Sequence, residues 1–311
     1  MSAPKSEVIA VVGPTASGKT ELALALARRL DGEILSADMG QLYRLLDAGT
    51  AKPAGRWEDG PGGKVFLVEG TPYHLVDALD PAEETDAGAY ARRASAVLED
   101  VLRRGRRPIV CGGTGLYVRA LLEGLAPLPP RDPALRAELE RRAAAEGRAA
   151  LHAELERRDP DAARAIPPNN LQRVVRALEV CALTGKPFSA LAVRPPAGER
   201  RAEYLAVERS PAELRERIRA RTQEMFPRMV EEVRRLVPTR LRGDEPGFRC
   251  LGYPEAVACA AGRLAPAEGL AGMLRATLAY AKRQRTWFRG QTDARWLAPD
   301  ADLDALAGEL R

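Results

Sequence analysis

Residues 8–30, VIAVVGPTASGKTELALALARRL, decide how the rest of the chain is read. VIAVVG is an apolar run of strand length, GPTASGKT has the spacing G-x-x-x-x-G-K-T, and ELALALARRL recurs at helical period until Gly32 closes it. A buried strand, a glycine loop and a helix in that order make a phosphate cradle. The glycines let backbone N–H groups turn onto phosphate oxygens, the Lys19 ammonium offsets their charge, and the Thr20 hydroxyl is placed to ligate Mg²⁺. Gly13, Pro14, Thr15, Ala16, Ser17, Gly18, Lys19 and Thr20 form this loop. By itself it specifies neither the phosphate compound nor the reaction.

Downstream, EILSAD (33–38) and RPIVCGG (107–113) read as further buried strands, with the helix AGAYARRASAVLEDVLRRG (87–105) between them. The stretch from Gly49 to about Pro72 is rich in Gly and Pro and reads as an excursion. Strand–helix alternation predicts an α/β fold, a parallel P-loop sheet flanked by helices, with strand ends at Gly13, Asp38 and Gly112 converging on the ligand. After PLPPRDP the pattern turns wholly helical, and EYLAVERSP (203–211) resumes a strand. The expected organisation is a core of residues 1–124 plus 201–311, interrupted by an all-helical insertion at 125–200.

Composition narrows the class. The chain has 311 residues, 45% of them hydrophobic, enough for a core without covalent staples. Its net charge is +5, and 42 of its 48 basic residues are arginine, which suits a polyanionic partner through bidentate contacts. A GC-rich coding sequence gives the same arginine bias. Four scattered cysteines and two histidines form no zinc or disulfide pattern. With no signal peptide and no membrane-length apolar run, a cytoplasmic protein without membrane attachment is expected.

One absence is informative. P-loop NTPases hold Mg²⁺ with an Asp at the end of a later strand, yet here that strand ends RPIVCGGTG. The carboxylate at a strand end is instead Asp38, in SADMGQLYR, which reads equally as a base or Mg²⁺ ligand and as a helix N-cap. Thr114, in GGTGLYVRALL, reads as a helix cap or as a polar group facing the first loop. Gln172, Arg173 and Arg176 lie within one helical turn and read as phosphate or base contacts or as a solvated face. In YAKRQRTWFRG (280–290), Lys282, Arg285 and Arg289 share a stripe interleaved with aromatics, a composition that fits nucleic acid as well as core packing.

Taken in order, GPTASGKT, SADMGQLYR with DAGTAKP (47–53), PIVCGGTGLYVRALLEGL, QRVVRALEV, the R-x-L-G-Y at Arg249 and the K-R-Q-R-T-W-F helix resemble the tRNA dimethylallyltransferases, bacterial type, over nearly the whole chain. The resemblance implies transfer of a dimethylallyl group from dimethylallyl diphosphate to the exocyclic amine of the adenosine 3′ of the anticodon, with release of pyrophosphate. It assigns the loop from Gly13 to Thr20 to the diphosphate, Lys19 and Thr20 to catalysis with Mg²⁺ on Thr20, and Asp38 to proton removal from the amine. To the tRNA it assigns Asp38, Met39, Gly40, Gln41, Thr114, Arg136, Gln172, Arg173, Val174, Val175, Arg176, Arg249, Cys250, Leu251, Gly252, Tyr253, Pro254, Lys282 and Arg285. A monomer is expected. Three positions depart from the family pattern: Pro254 for a basic residue, Met39-Gly40 for a Ser-containing pair, and Tyr73 for a frequent His. A small-metabolite P-loop kinase and a non-catalytic RNA-binding protein are the competing readings.

Overall fold

The structure is a computed structural model that describes residues 6–60, 63–193, 200–237 and 239–311. Contacts divide the chain into two units, Met1–Glu123 with Gly198–Arg311, and Gly124–Ala197.

In the first unit the chain runs β1 (Val8–Val12), α1 (Lys19–Leu30), β2 (Gly32–Ser36), α2 (Met39–Leu42), β3 (Arg56–Gly60), β4 (Gly63–Val68), β5 (Thr71–His74), α3 (Ala87–Arg103), β6 (Arg107–Gly112) and α4 (Gly115–Leu122). The second unit holds α5 (Pro133–Glu146), α6 (Arg148–Arg158), α7 (Pro160–Ala165), α8 (Leu171–Thr184) and α9 (Phe188–Leu191). The first unit resumes with β7 (Ala202–Val207), α10 (Pro211–Leu236), a 3₁₀ turn at Pro246–Arg249, α11 (Tyr253–Ala260), α12 (Pro266–Gln291), β8 (Arg295–Leu297) and α13 (Leu303–Leu310).

Eight strands form one sheet in the order β3-β4-β5-β2-β6-β1-β7-β8. From β5 to β8 every pairing is parallel, and β4 pairs antiparallel with both β3 and β5. The central strands are buried on both faces, which is why VIAVV and PIVCG read as unbroken apolar runs. One hydrophobic cluster collects Val8, Ala10, Leu35, Tyr90 and Phe288 on one side of the sheet; the other collects Ile9, Val11, Leu26, Ile34 and Ile109.

Two local expectations need correction. The excursion contains the hairpin β3–β4, whose first strand is exposed along nearly its whole length and carries no alternating apolar face to mark it. Helix α1 is closed by Asp31, in the left-handed region at φ 52°, rather than by Gly32. Gly32 opens β2 where a Cβ would lie 2.8 Å from the Arg107 carbonyl oxygen, so close strand approach sets its identity.

The helical unit packs Leu139, Leu151, Leu155, Ile166, Val174, Val175 and Leu178 into its own core. Asp132, Asp159 and Asn170 cap α5, α7 and α8 through their side chains. Among the described residues, no helix is long and apolar enough to cross a membrane.

Candidate active site

The parallel order β2-β6-β1 puts the ends of three strands side by side. From β1 the chain enters the glycine loop with Gly13 at φ 132°, Ala16 at φ 63° and Gly18 at φ 104°, a run of left-handed turns that directs the backbone around a concavity at the start of α1. Lys19 folds back, and its Nζ donates to the Pro14 carbonyl at 2.8 Å. Burial pushes its ammonium below the ordinary lysine range, opposed by the nearby Cys111 and Asp38. Ser17 is fully buried and its hydroxyl has no hydrogen-bond partner among the described residues, an orphaned oxygen inside the cradle.

Helix α10 supplies the positive side of the loop. The Nε of Arg217 donates to the Ala16 carbonyl at 2.8 Å, and Arg221 Nη1 lies 3.4 Å from the Thr15 hydroxyl. Just before the helix, Arg209 Nε donates to the Ser17 carbonyl at 3.0 Å. Arg217 and Arg221 make no ion pair with a carboxylate among the described residues. They line a cleft of about 400 Å³ together with Lys19, Thr20, Ala51 and Pro53, and with the carboxylates Glu21 and Glu69. Arg217 and Arg221, spaced i, i+4 in RERIRAR, were missed from the sequence because an Arg/Glu-rich helix start looks like any solvated face.

From β2 the chain reaches Asp38, the N-cap of α2, whose Oδ1 accepts from the Gly40 N–H at 2.9 Å. Capping therefore occupies one carboxylate oxygen and does not exclude a role for the other. Burial raises the Asp38 carboxyl above the usual range, countered by Lys19, by the Gly40 N–H and by Arg221. From β6 comes Gly112, where a Cβ would lie 2.2 Å from the Ala37 carbonyl oxygen, and then Gly113 and Thr114. No carboxylate stands there. The Thr114 hydroxyl accepts from the Met39 N–H at 3.3 Å instead of capping α4, tying the β6 loop to the Asp38 loop.

The D-A-G-T-A-K-P segment buttresses this loop. Thr50 sits where a Cβ on Gly40 would meet its methyl at 3.0 Å, and Gln41 Nε2 donates to the Ala51 carbonyl at 3.1 Å. The segment is itself held from behind: both Asp47 and Ala48 N–H groups donate to Glu232 Oε2 at 2.9 Å, and the Gly49 N–H donates to the Tyr253 hydroxyl at 3.1 Å. Tyr253 in turn donates to Glu232 Oε1 at 2.7 Å. Lys52 Nζ donates to the Tyr43 carbonyl at 2.7 Å and pairs with Asp47 and Asp77.

Several residues assigned to tRNA lie elsewhere than expected. Tyr253 is 0% exposed and Cys250 4%, so their side chains belong to the core and to the Glu232 clamp. Gly252 is also buried, and Gln41 is 6% exposed with its amide engaged by Ser36 and Ala51. Of the same segment, Pro254 and Arg249 are exposed, and Arg249 pairs with Glu84 at 3.1 Å. On α12, Lys282 is exposed, whereas Arg285 and Arg289 both pair with Glu208. The aromatics of that helix divide: Phe288 is wholly buried and Tyr280 and Trp287 are half-buried.

In the helical unit, Val174 and Val175 are 0% exposed and cannot offer side chains to a ligand. The expected trio Gln172, Arg173 and Arg176 does not project together. Gln172 and Arg173 are exposed, but Arg176 turns to the buried Glu179 at 2.6 Å and to the Pro129 carbonyl at 2.7 Å. Arg136 joins the same carboxylate at 3.3 Å.

Comparison with known proteins agrees with this architecture. Residues 41–291 match the IPP transferase family. A tRNA dimethylallyltransferase from Anaeromyxobacter sp. (strain Fw109-5) is 46% identical over 97% of this chain and 98% of its own length. One from Myxococcus xanthus (strain DK1622) is 44% identical over 93% and 91%. The crystal structure of the full-length tRNA isopentenylpyrophosphate transferase from Bacillus halodurans superimposes with a TM-score of 0.67 at 34% identity, covering 98% of this chain and 94% of that one. The chain belongs to the IPP transferase family, the tRNA dimethylallyltransferases, and is a transferase.

Proposed function

We propose that this transferase moves a dimethylallyl group from dimethylallyl diphosphate to N6 of the adenosine 3′-adjacent to the anticodon of a tRNA, acting in the cytoplasm as a monomer. The observation that carries the reading is the pairing of a phosphate cradle, whose cations Lys19, Arg217 and Arg221 make no ion pair with a carboxylate among the described residues, with a part-buried carboxylate, Asp38, on a neighbouring strand end within electrostatic reach of Lys19 and Arg221. A new N6–C1 bond forms as the C1–O bond to the diphosphate breaks, the bonding pair leaving with pyrophosphate. Lys19, Arg217, Arg221 and the loop amides stabilise the charge that builds on the leaving group. Asp38 accepts the N6 proton. At its ordinary pKa of about 3.9 an aspartate is a weak base, and burial strengthens it and sets it against the amine.

The loop also fits Mg²⁺. The Thr20 hydroxyl lines the cleft and makes no hydrogen bond among the described residues, so it would hold Mg²⁺ together with substrate phosphate oxygens and water. When bound, the ion supplies further charge neutralisation for the departing diphosphate. The adenosine leaves its stack to reach such a site, so base flipping is part of the reading.

The test is mass spectrometry of tRNA incubated with the protein, Mg²⁺ and dimethylallyl diphosphate, with an ATP-plus-nucleoside control for a kinase. One added dimethylallyl group on the anticodon-loop adenosine is the expected product; phosphorylation of the control with unmodified tRNA sinks the reading. Asp38→Asn keeps the cap on α2 and is expected to lower transfer by about 10²–10⁴-fold while tRNA still binds. It should also melt higher at pH 7. A carboxyl whose folded pKa is raised stabilises only at low pH, and that contribution is lost as pH rises through the folded value.

A further inference from the structure

We infer that Gln284 is a positioning residue for the transfer, a strut that fixes the leaving-group loop against the β6 loop, to which the loop carrying the base is tied through Thr114. The inference rests on the proposed roles of the glycine loop and Asp38. Gln284 lies on α12, 5% exposed, with both ends of its amide engaged. Its Oε1 accepts the Thr15 N–H at 2.8 Å, and its Nε2 donates to the Gly113 carbonyl at 2.8 Å. A backbone N–H needs an acceptor and a carbonyl needs a donor, so only one orientation of the amide satisfies both loops. The contact is close: a Cβ on Gly113 would lie 2.1 Å from Nε2.

From Gly113 the link continues without a gap. The Thr114 N–H donates to the Ala37 carbonyl at 3.1 Å, and the Thr114 hydroxyl accepts from Met39, next to Asp38. Gln284 thus joins the loop that grips the diphosphate to the β6 loop, and Thr114 carries the link on to the loop that removes the proton. Bond formation at N6 and bond breaking at the diphosphate occur on opposite sides of one carbon, so their separation has to be held to a fraction of an ångström. A misplacement of about 1 Å is enough to cost about 10²-fold in rate. Gln284 touches neither reacting atom and acts through the two loops.

The experiment compares Gln284→Met, which keeps length and loses both hydrogen bonds, with Gln284→Glu, which keeps an acceptor for Thr15 and turns an oxygen toward the Gly113 carbonyl. Single-turnover transfer at saturating tRNA and dimethylallyl diphosphate is expected to fall about 10²-fold in both. The diphosphate KM and the tRNA Kd are expected to stay within about threefold of the parent. A folded variant that transfers at the parent rate, or whose loss lies wholly in KM or Kd, overturns the inference. If Gln284→Met melts below the assay temperature, Gln284→Glu decides; if neither folds, Gln284 is a structural residue and the inference is wrong. Lys19→Ala run alongside separates the two levels. An unchanged diphosphate KM in that variant would remove the glycine loop from the site, whereas a raised KM with silent Gln284 variants refutes only the strut.

Discussion

Arginines on two helices of this chain have opposite fates. On α10, Arg217 reaches a carbonyl of the glycine loop and Arg221 a hydroxyl, and neither pairs with a carboxylate among the described residues. On α5 and α8, Arg136 and Arg176 converge on one oxygen of the buried Glu179. A guanidinium held by neutral oxygens keeps its positive potential for an incoming anion. One held by a buried carboxylate has that potential cancelled and serves to satisfy a charge that burial would otherwise leave exposed to a low dielectric. Counting basic residues therefore says less about a polyanion site than asking what each cation already holds.

The contrast is broken most forcefully by removing the α10 pair. Arg217→Ala with Arg221→Ala is expected to raise the KM for dimethylallyl diphosphate by about 10²-fold or more, since a hydrogen bond to a charged group contributes about 1.5–3 kcal/mol. Thermal stability should change little, because the partners left behind are a carbonyl, a hydroxyl and the Met225 thioether, all neutral, beside an open cleft. If the diphosphate KM were unchanged, the cationic potential of α10, partly offset at Arg221 by Asp38 and Glu21, would have no role in binding.

Arg176→Ala should do the reverse. Glu179 is 0% exposed and also accepts the Asp132 N–H at 2.8 Å, so losing one of its two guanidinium partners leaves a buried charge under-compensated. With Arg136 still present, the expected cost is about 2 kcal/mol in the denaturation of the helical unit, and the diphosphate KM stays put. Urea titration followed by a probe in residues 124–193 measures it. A variant as stable as the parent would mean that Arg176 is free for a ligand after all.

These assignments also mark what the sequence made legible. The β1–loop–α1 unit, β2, β6 and the empty strand end after PIVCGG were readable because uninterrupted apolar runs and a fixed glycine spacing leave few alternatives. Asp38 was legible as a helix cap, and the cap occupies only its Oδ1, which leaves room for the proposed chemistry. The clamp from Glu232 and Tyr253 onto Asp47, Ala48 and Gly49 was not readable, since it joins residues about two hundred positions apart through a buried acid that looks like part of a charged helix. For the same reason Q-R-V-V-R was legible as a helix while the direction of Arg176 was not. That depends on Glu179, three residues on, being turned inward. Glutamine at 284 carries no charge to draw notice, and only the meeting of α12 with two loops gives its amide a task.

The smallest effect is the sharpest discriminator within the helical unit. Arg173, in the first turn of α8, is exposed and holds no side-chain partner among the described residues, whereas Arg176, one turn later, is engaged. If the unit meets tRNA phosphates through its free cations, Arg173→Ala should weaken tRNA binding modestly and reduce the slope of log K against log[salt] by about 1, because one fewer counterion is released. Arg176→Ala, assayed where it remains folded, should leave that slope unaltered. Filter binding across a salt series reads both. Equal slopes for Arg173→Ala and the parent would assign Arg173 to the solvated face of α8; a reduced slope for Arg176→Ala would show that Glu179 gives up its guanidinium when tRNA arrives.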